Sequence, residues 1–241
     1  MNILFYTVLF IIGIIVGSYW AIKASEIVKE LDMKKIHYSN NANEEILSKL
    51  SYILIGGVSS VILANVLSVN IYELDIYNFT IYIFAMLYIS TLVLIAGIDK
   101  IYLKIEKGMI AFGIVSSIIY MIYLFLIDLA SIHLNIIYLG IYMVLLLIDS
   151  FLLRRYARDS YVLDILMLLG IILVFTDLRT LTYTLVMALI AIILNTLLMK
   201  IQTKNQGNKK IKIKEIPVGF FIASSNIIVL FMIRIFENYI I

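Results

Sequence analysis

The sequence predicts an all-α fold, a polytopic membrane protein of about eight transmembrane helices with both termini extracytoplasmic. Three observations carry that prediction. Of 241 residues, 63% are apolar and 15% charged, whereas soluble domains carry about 25% charged residues to coat their surface. Apolar runs long enough to span a bilayer, roughly 20 residues each, recur along the whole chain. The Lys and Arg residues between those runs fall almost entirely on alternate sides, which fixes an orientation.

The runs lie at about residues 3–22, 51–69, 78–98, 108–127, 133–153, 161–176, 180–199 and 217–236. The first differs from a secretory signal, which carries positive charge before its apolar stretch; here Lys23 and Lys29 follow it, so a retained helix is expected. Its Gly13-x-x-x-Gly17 spacing suits close packing against another helix. With the first end outside, the inner connections hold Lys23, Lys29, Lys34, Lys35 and Lys49, then Lys100, Lys104 and Lys107, then Arg154, Arg155 and Arg158. The last of them holds Lys200, Lys204, Lys209, Lys210, Lys212 and Lys214. Together these are 17 of the 19 basic residues. Arg179 and Arg234 stay outside with Glu73, Asp75, Asp128, Asp177 and Glu237. The whole chain, 1–241, therefore reads as one membrane domain, with a short cytoplasmic loop at about 23–50 and a basic cytoplasmic loop at about 200–215 that faces anionic lipid.

Composition removes several chemistries. With no Cys and two His, His37 and His133, a disulfide framework, a zinc ribbon and a thiol nucleophile are excluded. No G-x-S-x-G, Walker A or G-x-G-x-x-G sequence occurs, and His133 falls on the outer side, away from the basic loops. No metal, cofactor or nucleic-acid partner is expected, since the +3 net charge follows from loops placed by topology.

Carboxylates at membrane depth are the remaining chemical signal, because an ionisable group there costs about 2.5–3.5 kcal/mol at a helix centre. Asp99 closes the third run, Asp149 lies about one turn inside the end of the fifth and Asp164 opens the sixth, all near the cytoplasmic boundary. Singly, each reads as a boundary residue solvated or paired with a nearby Lys or Arg. Two held at one depth can share a proton, one acting as base toward water while the other protonates a carbonyl oxygen. That is aspartic protease chemistry.

Four blocks add a resemblance. Gly17-Ser18-Tyr19-Trp20 resembles the G-S-F block of the type IV prepilin peptidases, membrane aspartic proteases that process pilin-like precursors. Ile98-Asp99 followed by Lys104-Ile105-Glu106-Lys107 resembles the first catalytic block, with Glu106 and Lys107 in place of Pro and Asn. Glu215-Ile216-Pro217-Val218-Gly219-Phe220-Phe221-Ile222-Ala223 is similar to the I-P-F-G-P-F-L block that opens the last helix, and holds the only Pro. Tyr161-Val162-Leu163-Asp164 stands where the family has G-x-G-D, with neither glycine.

The resemblance implies an aspartic-type endopeptidase of a bacterial or archaeal plasma membrane. It would cut the basic leader from type IV prepilins or pseudopilins at the cytoplasmic face. Asp99 and Asp164 are the implied catalytic pair, with Asp149 and Asp159 as other candidates for the second position. The first loop lacks the paired C-x-x-C motifs that many relatives carry there, so methyl transfer to the product is not expected. Two other readings remain open on the residues: a relative without peptidase activity that serves pilus or secretion-system assembly, and an unrelated transporter.

Overall fold

The computed structural model describes residues 3–33, 49–67, 69, 76–127, 161–205 and 216–240, with isolated positions 136, 137, 140 and 144. They form seven helices: α1 (Ile3–Met33), α2 (Lys49–Val66), α3 (Ile76–Tyr102), α4 (Lys107–Ile127), α5 (Tyr161–Phe175), α6 (Leu178–Asn205) and α7 (Val218–Ile240). No strand occurs among the described residues, and the fold is all-α. Four helices are long and apolar enough to cross a membrane, over Ile3–Leu31, Ile76–Tyr102, Lys107–Ile127 and Leu178–Leu198. Three further apolar segments, Lys49–Asn65, Tyr161–Phe175 and Val218–Ile233, are shorter. The expected run at 133–153 lies outside the described residues apart from isolated positions, and Asp149, Asp159, His37 and His133 lie outside them too.

Two helices run past their expected ends. The loop expected at about 23–50 begins as helix, because α1 continues to Met33. Ala21, Ala24, Val28 and Leu31 are buried, a spacing of three and four residues that keeps one stripe of the helix against its neighbours. On the outer side of this stripe Lys23 and Glu26 pair at 2.7 Å, so the charges that end the apolar run do not end the helix. Likewise α6 extends through Lys200 and Lys204 to Asn205, into the basic segment expected as loop.

The closest helix pair is α1 with α2, and glycine makes it possible. A methyl group added at Gly13 would lie 2.8 Å from the Gly57 Cα, and one at Gly17 would lie 2.8 Å from the Ile53 Cα. Backbone therefore rests on backbone, the geometry that small residues permit between membrane helices. At the centre stands α3, whose Ile89, Leu92, Ile95 and Ile98 are buried and which packs on α1, α2, α4 and α7. By contrast α6 turns Leu185, Leu189, Ile193 and Leu197 outward, an apolar stripe suited to lipid.

Several buried polar side chains are held by hydrogen bonds that cross between helices, as a low-dielectric interior favours. Tyr88 of α3 donates to the Asn226 Oδ1 of α7, and the Asn226 amide donates to the Thr184 hydroxyl of α6 at 2.9 Å. Between α1, α2 and α3, the Ser60 hydroxyl lies 2.6 Å from the Leu9 carbonyl and 2.7 Å from the Tyr82 hydroxyl. Stacked rings join α3, α5 and α4, with Phe175 4.7 Å from Tyr88 and 5.0 Å from Tyr120.

Candidate active site

Asp99 occupies the last turn of α3 and is fully buried. The helix ends just beyond it on Leu103, whose φ of 50° is left-handed and whose N–H donates to the Asp99 carbonyl oxygen at 3.0 Å. This is the single-bond left-handed C-cap, usually made by glycine. The chain then passes through the buried Ile105 and restarts as α4, with the Glu106 carbonyl accepting from Met109 at 3.0 Å. The short turn thus carries Lys104, Glu106 and Lys107 around the end of α3.

The first turn of α7 closes on the same point. Pro217 precedes the helix and its carbonyl accepts the Phe221 N–H at 3.3 Å, which leaves the next amides without a helical partner. Phe220 N–H donates to Asp99 Oδ2 at 2.9 Å, and Gly219 N–H donates to the Tyr161 oxygen at 3.3 Å. Tyr161, the first residue of α5, donates its own proton to Asp99 Oδ2 at 2.9 Å. The carboxyl and phenol together cap α7 from two other helices, and the positive end of the helix dipole favours the carboxylate. A side chain at position 219 would crowd this arrangement, since a methyl there would lie 3.0 Å from Asp99 Oδ2 and 3.0 Å from the Ile105 Cδ1. The second oxygen of Asp99, Oδ1, is buried with no hydrogen-bond partner among the described residues.

Asp164 lies three residues beyond Tyr161 in α5, hence on the same helical face one turn deeper, and it too is buried. Lys107, Lys104 and Glu106 lie within electrostatic range of its carboxyl. The two aspartates therefore stand at one end of the bundle, around the turn between α3 and α4. Tyr161 joins their helices there through its hydrogen bond to Asp99, whose hydrogen bonds run to Tyr161 and Phe220 rather than to Asp164.

Three of the four sequence blocks meet here: Asp99 and Ile105 from the Ile98–Lys107 block, Tyr161 from the Tyr161–Asp164 block and Pro217 to Phe220 from the Glu215–Ala223 block. The Gly17–Trp20 block reaches the site through α2. Gly17 lies against the Tyr52 carbonyl, and the buried Tyr52 hydroxyl lies against Gly97, two residues before Asp99. Sequence reasoning did not assign a role to Tyr161 or to the amides of Gly219 and Phe220. A signal was present in the lone Pro217, which marks a helix start whose free amides need an acceptor. No family model matches this chain, and neither a curated protein nor a solved structure matches it.

Proposed function

We propose that this chain is a membrane aspartic endopeptidase of the prepilin peptidase kind, cutting leader peptides from pilin-like precursors at the cytoplasmic face. The observation that carries the reading is the convergence of three distant blocks on one buried carboxylate. Asp99 is bonded to residues 62 and 121 positions away, each within a segment that resembles the family. Eight spans with both termini outside complete the picture, with the 17-to-2 division of basic residues placing the Asp99 end of the bundle in the cytoplasm.

Asp99 and Asp164 carry the chemistry in this reading. With one proton between them, the ionised carboxylate takes a proton from a water as its oxygen attacks the scissile carbonyl carbon. The protonated partner gives its proton to the carbonyl oxygen. Collapse of the tetrahedral intermediate then breaks the C–N bond, and a proton passes to the leaving amine. The substrate is a basic leader followed by an apolar helix that can lie among the enzyme's own helices, and the attacking water comes from the cytoplasmic face.

A second reading is favoured by Tyr161. It stands where the family has glycine, and it occupies Asp99 in capping α7, a role that needs no catalysis. A non-proteolytic assembly component would keep the same contacts. Co-expression with a prepilin, following leader removal by gel shift, separates the two. Asp99→Asn keeps an oxygen to accept from Phe220, so the fold survives while the shared proton is lost. Cleavage by the unaltered chain, abolished in Asp99→Asn and in Asp164→Asn, is the expected result. Persistent cleavage by both variants would overturn the pairing, and loss with Asp99→Asn alone points to Asp149 or Asp159 as the partner.

A further inference from the structure

We infer that Tyr161 is a positioning residue that gives the two oxygens of Asp99 separate tasks, holding Oδ2 as a fixed acceptor and leaving Oδ1 as the oxygen that gains and loses the proton. The inference deepens the peptidase reading and rests on it for its catalytic consequence, whereas the assignment of the oxygens rests on geometry alone.

A carboxylate oxygen offers about two lone-pair sites. Both on Oδ2 are used, by the Phe220 N–H at 2.9 Å and by the Tyr161 hydroxyl at 2.9 Å. The phenol has one proton, and its oxygen already accepts from Gly219 N–H at 3.3 Å, so that proton stays directed at Oδ2. A proton added to the carboxyl finds Oδ2 saturated and Oδ1 buried without a hydrogen-bond partner among the described residues. Protonated Asp99 is therefore a carbonyl at Oδ2 and a hydroxyl at Oδ1. Because Tyr161 begins the helix that carries Asp164 one turn on, the residue that fixes Oδ2 also sets the position of Oδ1 relative to the second carboxyl. Tyr161 does this through Asp99 and touches no reacting atom itself.

Infrared difference spectra of the full chain in detergent test the assignment. The difference between the unaltered chain and Asp99→Asn, at a pH low enough to protonate the carboxyl, isolates its C=O stretch. In Tyr161→Phe, which keeps the ring, the band moves to higher wavenumber because the carbonyl oxygen has lost one of two donors. Gly219→Ala, whose methyl presses the same carboxyl away from the Phe220 amide, moves it as well. An unmoved band in both variants overturns the assignment, whatever the chain does to a prepilin. In a cleaving enzyme, Tyr161→Phe lowers kcat about ten- to hundredfold, the worth of one hydrogen bond to a charged group, with KM within twofold. An unchanged kcat overturns the positioning role. A moved band in a chain that never cleaves prepilin upholds the assignment and removes the peptidase reading.

Discussion

Replacing Gly17 by Ala forces α1 and α2 apart. The added methyl meets the Tyr52 carbonyl and lies 2.8 Å from the Ile53 Cα, against a comfortable carbon separation of about 3.5–4.0 Å. Both obstacles are backbone, so no side chain can rotate away and the helix axes must part by roughly 1 Å. A radial gap of that size forfeits about half of each contact's attraction along the seam. The steric cost falls near the upper end of the range for overpacked sites, about 3 kcal/mol, while the better helix propensity of Ala returns about 1 kcal/mol. The net loss of about 2 kcal/mol lowers Tm by about 4–8 °C. Thermal unfolding in detergent, followed by circular dichroism, measures it. Gly108→Ala is the internal control, because a methyl at that position meets nothing within 4 Å and leaves Tm unchanged or higher. A Gly17→Ala protein that melts at or above the unaltered chain would refute the reasoning.

Other consequences are equally open to measurement. Asn226→Ala leaves the Tyr88 hydroxyl without its acceptor and the Thr184 hydroxyl without its donor; stability falls by about 1–3 kcal/mol, and an unchanged melting temperature would show that the α3, α7 and α6 polar chain does not hold the bundle. Leu103→Val places a β-branched residue at a φ of 50° and costs about 1 kcal/mol, whereas Leu103→Gly holds or raises stability; the reverse order in a melting comparison would contradict the strained cap.

The helical class and most of the apolar runs were legible in the sequence because hydropathy alone decides them. Helix ends were less so. Lys23 closes the apolar run but not α1, since the Ala21, Ala24, Val28 and Leu31 stripe is buried by tertiary contact and outweighs the local charge. At the site, Asp99 and Asp164 were legible as carboxylates at the ends of apolar runs, for an ionisable group beside such a run demands a reason. The cap that Asp99 makes was not, because its partner amide at Phe220 is 121 residues distant and every backbone N–H looks alike in a sequence. Tyr161 was visible only as the residue standing where a glycine was expected. Its role needs the geometry of three helices at once.

The cap shared between distant helices also bears on how the protein is made. A chain synthesised from its N-terminus inserts α3 long before α5 and α7 exist, so Asp99 spends that interval without either of its hydrogen-bond donors. At mid-membrane an unpartnered carboxyl would oppose insertion of its own helix. Asp99 stands instead in the last turn of α3, and its donors follow in chain order, Tyr161 and then Phe220. Helix α7 thus docks onto an acceptor already in place, and its first turn is completed by assembly rather than by its own sequence.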